Sequence, residues 1–385
     1  MIQRHLSDKV IQLASKYPVI SVTGPRQSGK TTLVKQLFPD YAYVNLENPD
    51  ARFAATHSPK DFLNHRRRGI VIDEAQYVPE IFSHIQVLAD EHQLSGEFIL
   101  TGSQHFLFME KITQSLAGRV AVFNLLPFSQ NELQHTDFQK ENLNEYLFNG
   151  FFPRLYDKQI EPADFYPNYI QTYVERDVRQ LVNVADLDVF QLFLRLCAGR
   201  IGQLFNQTEV GSLAGIDQKT VTRWLSILKT SFQVFSLPPY FQNFNKRLVK
   251  TPKLYFYDTG LACSLLGIRS VENLHTHFAY GALFENYVIV EMMKDHFNRG
   301  IRPAFYFWRD QSGHEVDLLV EGNGKLFPLE IKSSQVMQSS FFKGLHQFNE
   351  FSGSSPNDTY LVYGGDQNYQ TAEAHVRSWN NLPQF

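Results

Sequence analysis

Two cysteines, Cys197 and Cys263, are all that the 385 residues contain. That excludes a disulfide framework and a cysteine-ligated zinc site, and it fits a reducing compartment. No apolar run approaches the roughly 20 residues needed to cross a bilayer, so no membrane partner is expected. The opening residues MIQRHLSDKV lack the apolar core of a signal peptide, and the expected location is cytoplasmic. An excess of charge of one sign is missing too. Set against 39 acidic side chains, 36 basic ones leave a formal charge of -3. No global field therefore advertises nucleic acid, and any such contact has to come from a local patch. What the chain does have is apolar material, 43% of its residues, enough at this length for two or three cores of ordinary domain size.

The most informative local pattern lies near the start. Val19, Ile20 and Val22 lead as a short buried strand into Gly24-Pro25-Arg26-Gln27-Ser28-Gly29-Lys30-Thr31, after which Thr32, Leu33, Val34 and Leu37 carry helical spacing. In this strand, glycine loop and helix, the amides of the loop from Gly24 to Thr32 converge on phosphate oxygens. Lys30 reaches the terminal phosphates, and the Thr31 hydroxyl takes Mg²⁺. A second half-site follows at Ile70-Val71-Ile72-Asp73-Glu74, an apolar strand ending in two carboxylates. Asp73 can hold the metal through its water shell, and Glu74 can orient or deprotonate the attacking water. The plain alternative is a buried strand with exposed acids at its end.

Further strand-like runs, Tyr43 to Leu46, Phe98 to Thr101 and Val120 to Leu125, alternate with helical stretches. A parallel sheet covered on both faces requires that order. The strings GPRQSGKTTL, VIDEAQ, ILTGSQ and AGRVAVFNLLPFSQNEL make roughly the first 130 residues resemble the AAA+ superfamily, in particular a bacterial and archaeal group within it. The resemblance implies ATP as the nucleotide and a polar sensor of the terminal phosphate after the fourth core strand. Ser103 in Thr101-Gly102-Ser103 is the choice, with Thr101 as the alternative. It also implies an arginine that completes the site from a neighbouring subunit or domain, and it suggests a homo-oligomer, with monomer and dimer left open. Arg119 is the candidate, with a structural salt bridge as the competing reading, while Arg26 serves either structure or phosphate.

From about Gly150 the alternation stops and helical patterns such as Tyr169 to Leu181 take over. Tyr173 to Arg179 resembles a helix of the same family and is assigned no chemistry. Thr208 to Ala214, a turn at Gly215, and Asp217 capping a helix with Val221, Trp224, Leu225 and Leu228 inside predict a helix-turn-helix. Phe232 to Leu237 and Lys253 to Tyr257 follow as a wing, joined by the basic connection Asn245 to Lys250, and the package resembles a winged helix. Lys219, Thr222, Arg223, Ser226 and Lys229 occupy the polar side of the second helix. They are either groove contacts or a solvated face on a packing lid.

The last third carries a second chemistry. Ala304 to Arg309, His314 to Glu321 and Lys325 to Ser334 are strand-like runs separated by turn residues, which predicts a three-strand meander. Alternation puts Glu315 and Asp317 on one face, with Val316, Leu318 and Val320 on the other. In the next strand Glu330 and Lys332 lie opposite Leu329 and Ile331. Asp317, twelve intervening residues, then Glu330-Ile331-Lys332 resembles the PD-(D/E)xK nuclease superfamily. The resemblance implies Mg²⁺ on Asp317 and Glu330, Lys332 positioning or activating a water, and a further acid, Glu285, from a preceding helix. The signature proline is absent, since His314-Glu315-Val316 precedes Asp317 directly. The charged face of an ordinary amphipathic hairpin is the plain alternative.

The expected architecture is α/β: a P-loop AAA+ domain with a parallel sheet covered by helices over 1–150, a helical and winged-helix middle over 151–270, and an α/β nuclease-like domain over 271–385. The expected function is a Mg²⁺-dependent ATPase acting in a nucleic-acid transaction, with DNA favoured over RNA. A regulatory protein whose nuclease-like domain binds without cutting is the competing expectation. A metabolic kinase is disfavoured, because no small-molecule phosphate-acceptor pocket is legible.

Overall fold

The five apolar runs of the N-terminal part become strands β1 (Val19–Thr23), β2 (Ala42–Asn45), β3 (Ile70–Asp73), β4 (Phe98–Gly102) and β5 (Val120–Asn124). In the computed structural model, which describes residues 2–64, 68–103, 115–174, 187–240 and 250–385, they form one parallel sheet in the order β2-β3-β4-β1-β5. β1, β3 and β4 are buried along their whole length. Successive residues of each feed opposite cores, as the pleat demands. Ile70, Ile72, Phe98 and Leu100 pack with Ile81, Phe82 and Ile85 of the helix Ile81–His92. On the other face Ile20, Val22, Val71 and Ile99 pack with Leu33 and Val34 of the helix Lys30–Leu37. The carboxyl ends of β1, β3 and β4 meet along one edge of the sheet, with Thr23 opposite Gly102 and Ile72 opposite Leu100. Open parallel sheets bind ligands at that edge.

The chain divides into two compact units: Met1–Phe128 with Thr230–Phe232 and His296–Ile301, and Ser129–Lys229 with Gln233–Asp295 and Arg302–Phe385. In the second, the helix Gln207–Ala214 ends at Gly215, whose φ of +70° makes the turn, and the helix Gln218–Thr230 follows. Asp217 caps it by accepting a hydrogen bond from Thr220 N at 3.0 Å. Trp224 packs edge-on against Phe190 and Phe193 of the preceding helix Leu187–Ala198. β6 (Val234–Leu237) and β7 (Lys253–Phe256) then pair antiparallel. The expected helix Tyr173 to Arg179 and the connection Asn245 to Lys250 fall, all but their ends, outside the described residues.

After the helix Tyr280–Asn298 come β8 (Phe305–Arg309), β9 (Glu315–Gly322) and β10 (Lys325–Lys332), an antiparallel meander. The sheet does not stop there. After the helix Lys343–Ser352, β11 (Tyr360–Tyr363) joins β10 in parallel, and β12 (Tyr369–Gln370) and β13 (His375–Ser378) extend it to six strands. One expectation fails within β9. Its register against β8 slips between Tyr306 and Trp308, which face Leu319 and Val316. This bulge interrupts strict alternation, so Leu319 rather than Leu318 and Val320 shares the core of Val316, Trp308, Leu345 and Phe348.

Candidate functional site

The loop after β1 is shaped by backbone constraints. Gly24 has φ +154°, and a Cβ there would lie 2.1 Å from the Leu125 carbonyl oxygen. Gln27 and Gly29 also take positive φ, at 62° and 93°. The helix Lys30–Leu37 therefore starts at Gly29 without a side-chain cap, its first amides turned towards the loop. Lys30 is buried and its Nζ donates to the carbonyls of Gly24 at 3.0 Å and Pro25 at 2.8 Å. The Ser28 hydroxyl is buried with no hydrogen-bond partner among the described residues, which suits a site for a polar ligand. Arg26 faces Glu47 at 3.6 Å. Thr32 lies in the first turn beside Thr31.

The two halves of the expected site meet. Thr31 Oγ1 and Tyr43 Oη each donate to Asp73 Oδ2 at 2.7 Å, and Thr101 Oγ1 donates to the other oxygen. Glu74, at φ +54°, stands just past the end of β3. Its amide donates to Thr101 Oγ1 at 3.2 Å, while Ser103 Oγ donates to its Oε2 at 2.9 Å. Gln76 Nε2 donates to the same carboxylate oxygen. Both sensor candidates are therefore engaged, Thr101 on the Asp73 carboxylate and the Glu74 amide, Ser103 on the Glu74 carboxylate. Burial and the hydrogen bond to Asp73 push the Tyr43 hydroxyl well above its ordinary pKa, so it stays a donor.

Arg119 is not brought to this constellation. It precedes β5, and its carbonyl accepts from Val19 N at the opposite edge of the sheet from the loop. Its guanidinium pairs with Asp90 through both Nε and Nη2, the latter at 2.8 Å. The competing reading, a structural salt bridge, is the arrangement present. Three participants carried no expectation: Tyr43, Gln76 and Arg4. Arg4 donates to the Ser28 carbonyl at 2.8 Å and to that of Leu126 at 2.7 Å, so it braces the phosphate loop. Gln76 was within reach of sequence reasoning, two residues beyond Glu74; the other two arrive only through the fold.

A second constellation lies in the other unit. Asp317, at the β9 bulge, accepts from Ile331 N at 2.8 Å and faces Lys332 Nζ at 3.4 Å. Lys332 also pairs with Glu330 at 2.5 Å. The remaining oxygen of Glu330, Oε2, is buried and has no hydrogen-bond partner among the described residues. Glu285, on the helix Tyr280–Asn298, is met by Lys253 of β7 at 3.1 Å and by the Tyr255 hydroxyl. Lys253 also pairs with Glu315 at 2.5 Å, and Arg309 reaches Glu315 at 3.2 Å. Burial raises Glu285 and Glu330 above the usual carboxylate range against the pull of Lys253 and Lys332, and Asp317 adds to the rise of each. Carboxylate oxygens suit a hard divalent ion. Among the described residues, however, no three His, Cys, Asp or Glu side chains stand together ready to hold one. The two ammonium groups pair with these carboxylates instead.

The recognition-helix expectation meets a mixed surface. Lys219, Arg223 and Ser226 are exposed. Thr222 is tied to Gln207 at 2.6 Å and to the Gln218 carbonyl at 2.9 Å. Lys229 is half-buried, which lowers its pKa.

Comparison with known proteins sets these sites in context. Residues 16–134 match the family described as an AAA domain. Residues 140–272 and 280–383 match two domains of unknown function, DUF8612 and DUF4143. Uncharacterized proteins of Mycobacterium tuberculosis (Rv2008c) and Mycobacterium bovis (Mb2031c) are each 31% identical over 335 residues, which cover 86% of this chain and 74% of theirs. Among solved structures, a Walker-type ATPase of Pyrococcus abyssi is 16% identical with a TM-score of 0.45, covering 69% of this chain and 96% of its own. AMPPCP-bound DnaA from Aquifex aeolicus is 15% identical with a TM-score of 0.30, covering 58% and 85%. Likenesses so distant add no detail to either site. Among the described residues no helix is long and apolar enough to cross a membrane. The chain belongs to the same family as the two mycobacterial proteins, and its N-terminal part is a P-loop ATPase domain of the AAA type.

Proposed function

We propose that the chain is a Mg²⁺-dependent ATPase that couples ATP binding or hydrolysis to a nucleic-acid transaction, with DNA the favoured substrate. The observation that carries the nucleotide half is the continuous linkage from Thr31 through Asp73 and Thr101 to Glu74 and Ser103. On ATP binding Lys30 exchanges the Gly24 and Pro25 carbonyls for terminal phosphate oxygens, and the loop amides close on the phosphates. Thr31 and Asp73 are the residues to hold Mg²⁺, which supplies neutralisation of the phosphate charge. Glu74, oriented by Ser103 and Gln76, takes the proton of the attacking water.

The nucleic-acid half rests on two features. Lys219, Arg223 and Ser226 lie exposed on the second helix of a helix-turn-helix followed by a wing-like strand pair. Buried Asp317 and Glu330 lie with part-buried Glu285 and Lys332 in a PD-(D/E)xK-like order of helix and meander. Asp317, Glu330 and Glu285 would be the residues to hold a divalent ion, which would supply a water of lowered pKa for phosphodiester hydrolysis. Lys332, beside Asp317 and Glu330, would orient the attacking water. One observation favours a second reading, a nucleotide-operated regulator that binds without cutting: Lys253 and Lys332 already neutralise these acids. Incubation with Mg²⁺ or Mn²⁺ and single- and double-stranded DNA and RNA separates the two. Cleavage by the parent that Asp317→Ala and Lys332→Ala both lose supports the enzyme; intact nucleic acid under every condition leaves the regulator.

A further inference from the structure

Lys253 has no counterpart in the acid, acid and lysine pattern that points to the C-terminal centre. It comes from β7, the second strand of the wing-like pair, yet its ammonium lies inside the centre, bridging Glu285 at 3.1 Å and Glu315 at 2.5 Å. The side chain is only 3% exposed. Two residues on along the same strand, Tyr255 donates to the Glu285 oxygen that Lys253 also contacts. Alternate residues of β7 thus hold Glu285 in place.

We propose that Lys253 is a built-in counter-ion that fills the cation position of this centre, so that a divalent ion and the Lys253 ammonium exclude one another. The inference rests on the reading of Glu285, Asp317 and Glu330 as a metal centre. Two observations on different strands carry it. Lys253 takes up Glu285, one of the three expected metal ligands, by direct contact. Glu330 Oε2, on β10, is buried and has no hydrogen-bond partner among the described residues, which marks a ligand position that the lysines leave unfilled. A buried acceptor of that kind is rare unless something else is meant to meet it. Removing one partner of a buried ion pair leaves the other charge uncompensated. With Lys253 gone, the acids gain a strong preference for the next available cation.

The test is a Mn²⁺ titration of the full chain without nucleotide, following the free-ion signal by electron paramagnetic resonance. It compares the parent with Lys253→Met, Lys253→Gln, and Lys253→Met combined with Asp317→Asn. Any ion taken up near Thr31 and Asp73 is common to all four proteins and cancels. The expected result is Mn²⁺ affinity at least tenfold tighter in both single variants than in the parent, with the gain removed by Asp317→Asn. Equal affinity in parent and single variants overturns the lock while leaving the centre standing. Binding that never depends on Asp317 overturns the centre and the lock together. Where a variant folds poorly, its melting temperature must rise with Mn²⁺ by more than the parent's; an equal or smaller rise counts against the proposal.

Discussion

In the proposed mechanism Glu74 concentrates the chemistry of the ATPase domain in one carboxylate. It sits in the left-handed region at φ +54°, a conformation that a non-glycine residue holds only when its surroundings enforce it. Here the Glu74 amide bonds Thr101, and Ser103 and Gln76 both donate to its side chain. Replacement by glutamine keeps the shape and removes the proposed base. Glu74→Gln is therefore expected to bind ATP as the parent does and to hydrolyse it about 10²- to 10⁴-fold more slowly, measured as phosphate release beside nucleotide titration. Equal loss of binding would assign Glu74 to holding the loop instead. At this scale the sequence told most about residues contiguous with a motif. Gly24 to Thr32, Asp73 and Glu74 lie in strings whose order carries their geometry, whereas Arg4, Tyr43 and Lys253 reach their partners across 24, 30 and 32 positions. No local pattern announces a contact of that kind.

Elements were legible where apolar runs are continuous. β1, β3 and β4 stand on their apolar runs, because a strand buried on both faces needs an unbroken apolar stretch, and β2 and β5 fall within a residue of theirs. β11 and β13 are no shorter than β3 but carried no motif to draw the eye, and the β9 bulge inserts a residue that the alternation of Glu315 to Val320 conceals. Contacts between elements also set stability. Asp258 caps the helix Thr259–Leu265 through Leu261 N at 2.9 Å, and it accepts from Phe151 N at 2.8 Å and Tyr166 Oη at 2.7 Å. Burial holds its carboxyl above the ordinary 3.8, outweighing those donors. A raised acid binds its proton more tightly in the folded state than in the unfolded one. Its contribution is present below the unfolded value and is lost as pH rises towards the folded value. The parent should accordingly lose stability relative to Asp258→Asn as pH climbs from about 4 towards neutrality, read from paired thermal melts. A difference that stays constant, or grows in the parent's favour, contradicts the assignment.

For the molecule as a whole, the two centres differ in readiness. In the N-terminal unit Thr31, Asp73, Glu74 and Ser103 are already connected, and Lys30 rests on carbonyls that a phosphate can replace. In the other unit the acids are neutralised by lysines, one of them from a strand outside the meander. Nucleotide can drive work only through differential affinity for two states of the chain, so the account stands or falls on the first centre. The most direct measurement is Mg²⁺-dependent ATP hydrolysis by the full chain, with Lys30→Ala as its control and circular dichroism to verify folding. The account predicts turnover in the parent and none in a folded Lys30→Ala; equal turnover in both, or none in the parent although ATP binds, contradicts it.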